Sequence, residues 1–349
     1  PMMVTLRQTT YLLALLIMIG FLLHIGKPVL LPVLIAVISV YILFDVTARL
    51  GQVPLIGLLP SILRRVLVLL AFTVVLVALF TYVLDTFTQV AAVLPSYKAN
   101  LDSLMTHVAQ LVGVDDEPSW AKLRAMTFDR LEIQPFIGPV ILSIRGLGGT
   151  LFLVVLYASF LTAERAGMAR KLNLALEGNA DAENRTIALI NRINTRIGDY
   201  LSVKTVVNIV LGALSFGVML LFGIDFALFW AILIALLNYI PYIGSLIGVI
   251  FPVLLSLAQF GSFTVASLVA VSLTAAQLFV AGYLEPRMMS RAFNLSPFVV
   301  LFALAFWSAL WGLPGAVLAV PLTASLIIVM AEIDATRPFA ILLSASGKV

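Results

Sequence analysis

Long apolar runs separated by short polar clusters make up most of the chain. Runs at 11–23, 29–44, 66–83, 146–162, 205–222 and 265–283 each read as one membrane-crossing helix. Two longer tracts, 226–260 and 297–331, are interrupted near their centres. Only residues 24–28 separate the first two runs, which predicts a tight transmembrane hairpin. No A-x-A-type cleavage site follows the first run, so it is expected to be retained. Between 85 and 145 charges return, Pro95, Pro118 and Pro135 punctuate short pieces, and Leu101, Leu104, Val108 and Leu111 recur at helical spacing. Between 164 and 198 Ile187, Ile190, Ile193 and Ile197 do the same, which predicts an amphipathic helix along the membrane surface.

This pattern predicts an all-α polytopic integral membrane protein with two broken helical hairpins and a small extracytoplasmic helical segment. Its divisions are N-terminal transmembrane helices (1–84), an extracytoplasmic amphipathic segment (85–145), a transmembrane helix (146–163), a cytoplasmic amphipathic segment (164–198), a transmembrane transport core (199–333) and a cytoplasmic tail (334–349). Each half of a broken tract has 14–18 residues. That is roughly 21–27 Å of helix against a hydrocarbon core of about 30 Å, so the halves span thinly or re-enter.

The first break is Asn238-Tyr239-Ile240-Pro241-Tyr242-Ile243-Gly244-Ser245, and Tyr239 and Tyr242 are the only ionisable groups between Asp225 and the end of its tract. Pro241 donates no N–H and pushes Ile240 out of the helical region. Backbone groups freed inside a bilayer are tolerated only where they line a cavity or are buried in protein. The second break is Gly312-Leu313-Pro314-Gly315. Paired short segments interrupted by Gly and Pro are the pattern of a transporter with a site near the membrane midplane.

Composition agrees: 62% of residues are hydrophobic, 11% are charged and the mean hydropathy is +1.13. The chain has no cysteine, which excludes thiol catalysis, disulfides and thiolate metal sites. His24 and His107 have no carboxylate motif nearby, and Gly146, Gly148 and Gly149 fit close helix packing better than a dinucleotide fingerprint. No G-x-x-x-x-G-K-[ST] loop is present, so transport would be coupled to an ion gradient or to nothing. No catalytic residue, metal site, cofactor or nucleic-acid partner is expected. Lipid and a small-molecule or ion substrate are.

If the N terminus is cytoplasmic and each broken tract enters and leaves on one side, fourteen Lys/Arg side chains face the cytoplasm and six face outward. The opposite topology inverts this bias. The reading therefore puts both termini inside.

The candidate pathway residues are Asn238, Tyr239, Pro241, Tyr242, Gly244, Ser245, Glu285, Arg287, Pro314 and Gly315, with Lys204, Asn208, Thr274 and Gln277 beside them. Asn238 offers a donor and an acceptor to a cation or polar solute, or caps a helix. Tyr239 and Tyr242 bind hydroxyls or anchor at an interface. Glu285 and Arg287, flanking Pro286, form a gating ion pair or a solvated helix end. Lys204, with Asn208 one turn further, reads first as snorkelling to the interface and second as a buried charge. Thr274 and Gln277 face a pathway or bond a neighbouring helix.

Asn238 through Gly244, followed by Gly248, resembles the N-hydrophobic-I-P-Y-I-G…G signature of the autoinducer-2 exporter family. So does the run from Glu285-Pro286-Arg287 through Asn294-Leu295-Ser296-Pro297 to Gly312-Leu313-Pro314-Gly315 and Ala319-Val320-Pro321-Leu322. The chain departs from the family at Ser296, where many members have histidine, and at Ser308 and Ala309, where glycines are usual. The resemblance implies an oligomeric transporter of the bacterial inner membrane, exporting a small polar solute such as autoinducer-2, or exchanging sodium or lithium for protons. Few acids lie mid-span, which weighs against the exchanger. A non-transporting scaffold acting through 85–145 is the alternative from another class.

Overall fold

A computed structural model describes residues 6–54, 58–97, 99–104, 106, 134–175, 180–288 and 294–347. The described residues are helical throughout apart from turns and one isolated bridge, Leu295 to Ser344. The helices are α1 (Leu6–Ile25), α2 (Lys27–Leu50), α3 (Ser61–Val93), α4 (Gln134–Ala175), α5 (Ala180–Leu221), α6 (Ala227–Leu237), α7 (Ile243–Phe260) and α8 (Phe263–Phe279). A π-turn (Val280–Leu284) leads into α9 (Glu285–Met288), and α10 (Pro297–Trp311), α11 (Leu313–Glu332) and α12 (Arg337–Leu343) follow. Among the described residues seven helices are long and apolar enough to cross a membrane. Their outward faces carry exposed residues such as Leu70, Val74, Val271 and Leu278, as a lipid-facing surface requires.

The chain divides into two compact units. The first comprises 1–73, 150–202 and 291–349. Its core packs Ala36 and Val40 of α2 against Val154 and Ala158 of α4, with Leu69 of α3 alongside. α10 and α11 form a helical hairpin, and α12 folds back so that Ala340 is buried with Val299 and Ile327. Ser296 caps α10 by accepting a bond from the Val299 N–H at 3.2 Å.

The expected hairpin between the first two runs is not formed. Gly26 alone separates α1 from α2, in right-handed helical conformation. Its N–H donates to the Leu22 carbonyl and its carbonyl accepts from Leu30, each at 2.8 Å, so the helical ladder continues through the joint. Pro28 has no N–H for the His24 carbonyl and its ring crowds that group, which bends the helix without reversing it. Trp311 Nε1–H donates to the Leu23 carbonyl at 3.0 Å.

The second unit comprises 74–149 and 203–290. Val207, Leu211 and Met219 of α5 are fully buried against Phe229, Trp230 and Ile234 of α6 and Val269 and Leu273 of α8. α6 and α7 form the second helical hairpin, and α7 packs on α8. Tyr97, just beyond α3, is buried in this core and donates its hydroxyl to Asp225 at 2.5 Å.

Two further expectations change. The 164–198 stretch does not form a separate surface helix. Ala180–Leu221 is one helix of 42 residues, about 63 Å long at 1.5 Å per residue, so its polar half extends the span beyond the hydrocarbon. No proline interrupts it, and Gly198 leaves room for the ring of Tyr41. Nor do the early glycines all mark tight packing. Gly148 faces Phe80 and Gly212 faces Ala231 and Ala235, but a methyl group at Gly146, Gly149 or Gly217 would meet open space. Val108 and Leu111 of the 85–145 segment lie outside the described residues, while Leu104 is buried.

Candidate functional site

The first break builds from the backbone. α6 ends at Leu237, Asn238 occupies its C-cap in helical conformation, and the reversal falls at Tyr242, with φ 62° and ψ −53°. A positive φ at an aromatic residue is strained and persists only where its surroundings enforce it. Here the enforcing contact is Gly244 in the first turn of α7. A Cβ there would overlap the Leu237 carbonyl, so only glycine lets the two helices meet this closely.

The break carries Asn238 into the interior, where it joins side chains from two other helices. Asn238 Nδ2–H donates to Asn208 Oδ1 of α5 at 2.8 Å, and Gln277 Nε2–H of α8 donates to Asn238 Oδ1 at 2.9 Å. The three carboxamides are at most 8% exposed and surrounded by the apolar core of the unit. Asn238 is therefore not acting as a side-chain cap. The chain of amides leaves two atoms without a partner, Asn208 Nδ2 and Gln277 Oε1. Turning all three amides over would only exchange which end holds the spare donor and which the spare acceptor.

One turn away on the same face of α5 is Lys204, 4% exposed, whose Nζ donates to Glu285 Oε1 at 2.6 Å. Snorkelling is thus not what this lysine does: burial of its ammonium is sustained by a carboxylate contributed 81 residues later. Beside it Thr205 Oγ1 and the Tyr239 hydroxyl share a hydrogen bond of 2.7 Å.

The aim of Glu285 depends on the π-turn. Gln277 and Glu285 are eight residues apart, which in an unbroken α-helix at about 100° per residue would set them about 80° apart around the axis. A π-turn takes one extra residue into a turn, so the eight steps act as about seven and the divergence falls to about 20°. Gln277 then meets Asn238 of α6 while Glu285, about 20° away, reaches Lys204 of α5. Pro286 accounts for the turn: it has no N–H for the Gly282 carbonyl four residues back, while the Glu285 N–H bonds to the Val280 carbonyl five residues back.

Asn208, Asn238 and Gln277 thus join in one amide chain, with Lys204 paired to Glu285 and Tyr239 bonded to Thr205 alongside. Other predicted residues stand apart. Tyr242 is exposed at the hairpin tip, and Ser245 donates to its carbonyl at 2.8 Å. Arg287 does not pair with Glu285; it donates to the Tyr283 hydroxyl at 2.6 Å and lies over that ring. Thr274 is exposed on another face of α8 from Gln277. Pro314 and Gly315 belong to the other unit, where a Cβ at Gly315 would overlap the Trp307 carbonyl. Sequence reasoning missed Thr205, although it adjoins Lys204, and the π-turn, which a glycine four residues before a proline could have signalled.

A family model described as the AI-2E family transporter matches residues 12–335. The chain belongs to that family. It is therefore a multi-pass membrane protein of a transporter family, as its apolar helices also indicate. Among its relatives, a putative transport protein of Borreliella burgdorferi is 32% identical over 254 residues, 72% of this chain and 68% of that protein. A putative transport protein of Haemophilus influenzae is 30% identical over 322 residues, 92% of this chain and 90% of its own length. The AI-2 transport protein TqsA of Escherichia coli is 27% identical over 295 residues, 83% of each chain.

Proposed function

We propose that this AI-2E family member carries a small polar solute outward across a bacterial inner membrane, along the buried polar face of α5, α6 and α8. The observation that supports this reading is the amide chain with a spare donor and a spare acceptor. Each unpaired buried group costs about 1–3 kcal/mol, which a bound polar solute would recover. A solute bearing hydroxyls would complete both ends, one oxygen accepting from Asn208 Nδ2–H and one O–H donating to Gln277 Oε1. The name of the TqsA relative makes AI-2 the first solute to test.

In this reading the chain forms a homo-oligomer in lipid. The basic-residue asymmetry puts the C terminus and 164–198 in the cytoplasm. With no reversal at Gly26, α1 and α2 make one crossing, which would put the N terminus on the side opposite Arg49, against the expectation that both termini are inside. The test is AI-2 flux from proteoliposomes holding purified protein. Wild type is expected to release the solute and Asn238→Leu to retain it. Equal release by both would remove the amide chain from the pathway, and no release by either would count against AI-2 export.

A further inference from the structure

We propose that the π-turn Val280–Leu284 is a register switch that seats and unseats Glu285 on Lys204, and so opens the polar face described above. It rests on that face being the pathway, but the test below does not depend on transport.

Three observations carry it. The Lys204–Glu285 pair is 2.6 Å long, with side-chain exposures of 5% and 22%, so the carboxylate covers the ammonium and is itself reached from one side. The pair exists only because the π-turn rotates Glu285 onto the face of Gln277. If the extra residue left the turn and the segment became α-helical, Glu285 would swing about 80–100° from that face.

The segment is held at its ends and by Tyr283, which stacks on Phe279 and accepts from Arg287, while Leu284 packs on the core; its middle carries no such contact among the described residues. Ala281, Gly282 and Tyr283 are exposed, a Cβ at Gly282 would meet open space, and Pro286 can donate to neither the Ala281 nor the Gly282 carbonyl. The Val280 side chain, by contrast, is fully buried, so the pivot is anchored at one end. Two of the restraints on the π register are the Glu285 N–H bond to Val280 and the ion pair itself. Anything that competes for Lys204 or Glu285 weakens one of these two restraints. Without the pair, the buried ammonium faces the amide chain one turn away, and the polar groups on α5 come free together.

Two variants push the switch in opposite directions. Deleting Gly282 removes the extra residue, so an ordinary α-helix holds Glu285 about 20° from the Gln277 face with no π register to leave. Pro286→Ala restores the missing donor and favours the α register, which turns Glu285 away.

The readout is acetylation of Lys204 by the water-soluble N-hydroxysulfosuccinimide ester of acetate. Peptide mass spectrometry of the detergent-purified full chain follows it, with exposed Lys171 as the internal reference. If wild type opens in about 0.1–10% of molecules, the deletion is expected to slow Lys204 acetylation about tenfold or more, and Pro286→Ala to speed it about tenfold. Equal Lys204 rates in all three proteins overturn the switch and make the π-turn a fixed feature, whatever the outcome for transport. Should the deletion elute unlike wild type on gel filtration, the Pro286→Ala arm decides alone: unchanged acetylation there overturns the proposal.

Discussion

The amide chain makes an unequal prediction for its three members. Asn238 is the middle link, bonded on both sides, whereas Asn208 and Gln277 are end links with one bond and one spare atom each. Asn238→Leu strands Asn208 Oδ1 and Gln277 Nε2 in the core, two new unpaired groups at about 1–3 kcal/mol each, or about 2–6 kcal/mol together. Asn208→Leu strands Asn238 Nδ2 but also deletes the spare Asn208 Nδ2, and Gln277→Met trades spare atoms in the same way. Both end substitutions should fall near zero, and the gain from added apolar burial is similar at all three positions. Thermal unfolding in detergent, followed by the loss of monodisperse protein on gel filtration, measures the ranking. The middle variant should melt well below wild type and the end variants close to it. If Asn208→Leu or Gln277→Met costs as much as Asn238→Leu, the chain of bonds is not what stabilises this part of the core.

Other expectations follow from the same geometry. Glu285→Gln leaves a lysine that is 5% exposed without a counter-charge and should destabilise by about 3 kcal/mol, with Lys204→Glu/Glu285→Lys recovering part of the loss in the same melting assay. Gly244→Ala and Gly315→Ala put a methyl group onto a backbone carbonyl and should each cost about 1–3 kcal/mol or more, seen as lost yield; Gly212→Ala, with its nearest neighbour at 3.2 Å, should be milder. In this cysteine-free chain, single cysteines at Asp116 and Gly178 should label from outside and only after permeabilisation, respectively, and Thr10→Cys reports the side of the N terminus. Detergent-corrected light scattering should give a mass of several subunits rather than one of 37.8 kDa.

The apolar runs, both breaks and the polar residues of the second unit were legible because hydropathy and Pro/Gly punctuation are local signals. What the sequence did not show was pairing. Lys204 reads as an interfacial side chain because a lysine one turn inside a span has two exits. Only the three-dimensional neighbour Glu285 decides between them, and its aim depends on a π-turn that displaces the ordinary count of 3.6 residues per turn. Proximity in sequence suggests Glu285 and Arg287 as partners, yet residues i and i+2 of a helix do not face each other, and Arg287 bonds Tyr283 at i−4 instead. The hairpin expected at 24–28 failed for a related reason. Gly and Pro mark a disturbance in the ladder, but whether it bends or reverses depends on the bonds that survive, and here the Gly26 bonds do.

The two breaks share one backbone device and differ in what surrounds it. In each hairpin the first helix is the shorter: α6 has 11 residues and α10 has 15, about 16 and 22 Å, too short for a hydrocarbon core of about 30 Å. The second helices, with 18 and 20 residues, come within a few ångströms of it or match it. In each, a glycine in the first turn of the second helix lies under a late carbonyl of the first, with a proline three residues before it in one case and one in the other. Among the described residues, only the first break brings in carboxamides from neighbouring helices. At the other break two polar contacts are Trp307 to Thr323 and Trp311 to Leu23, which tie helices together and leave no spare donor on either indole. The Pro–Gly element is therefore scaffolding used twice, and the selectivity proposed for the chain resides in side chains of α5 and α8. On that division, substitutions at Gly244 and Gly315 should act alike on assembly, whereas only those at Asn208, Asn238 and Gln277 should change which solute moves among proteins that assemble normally.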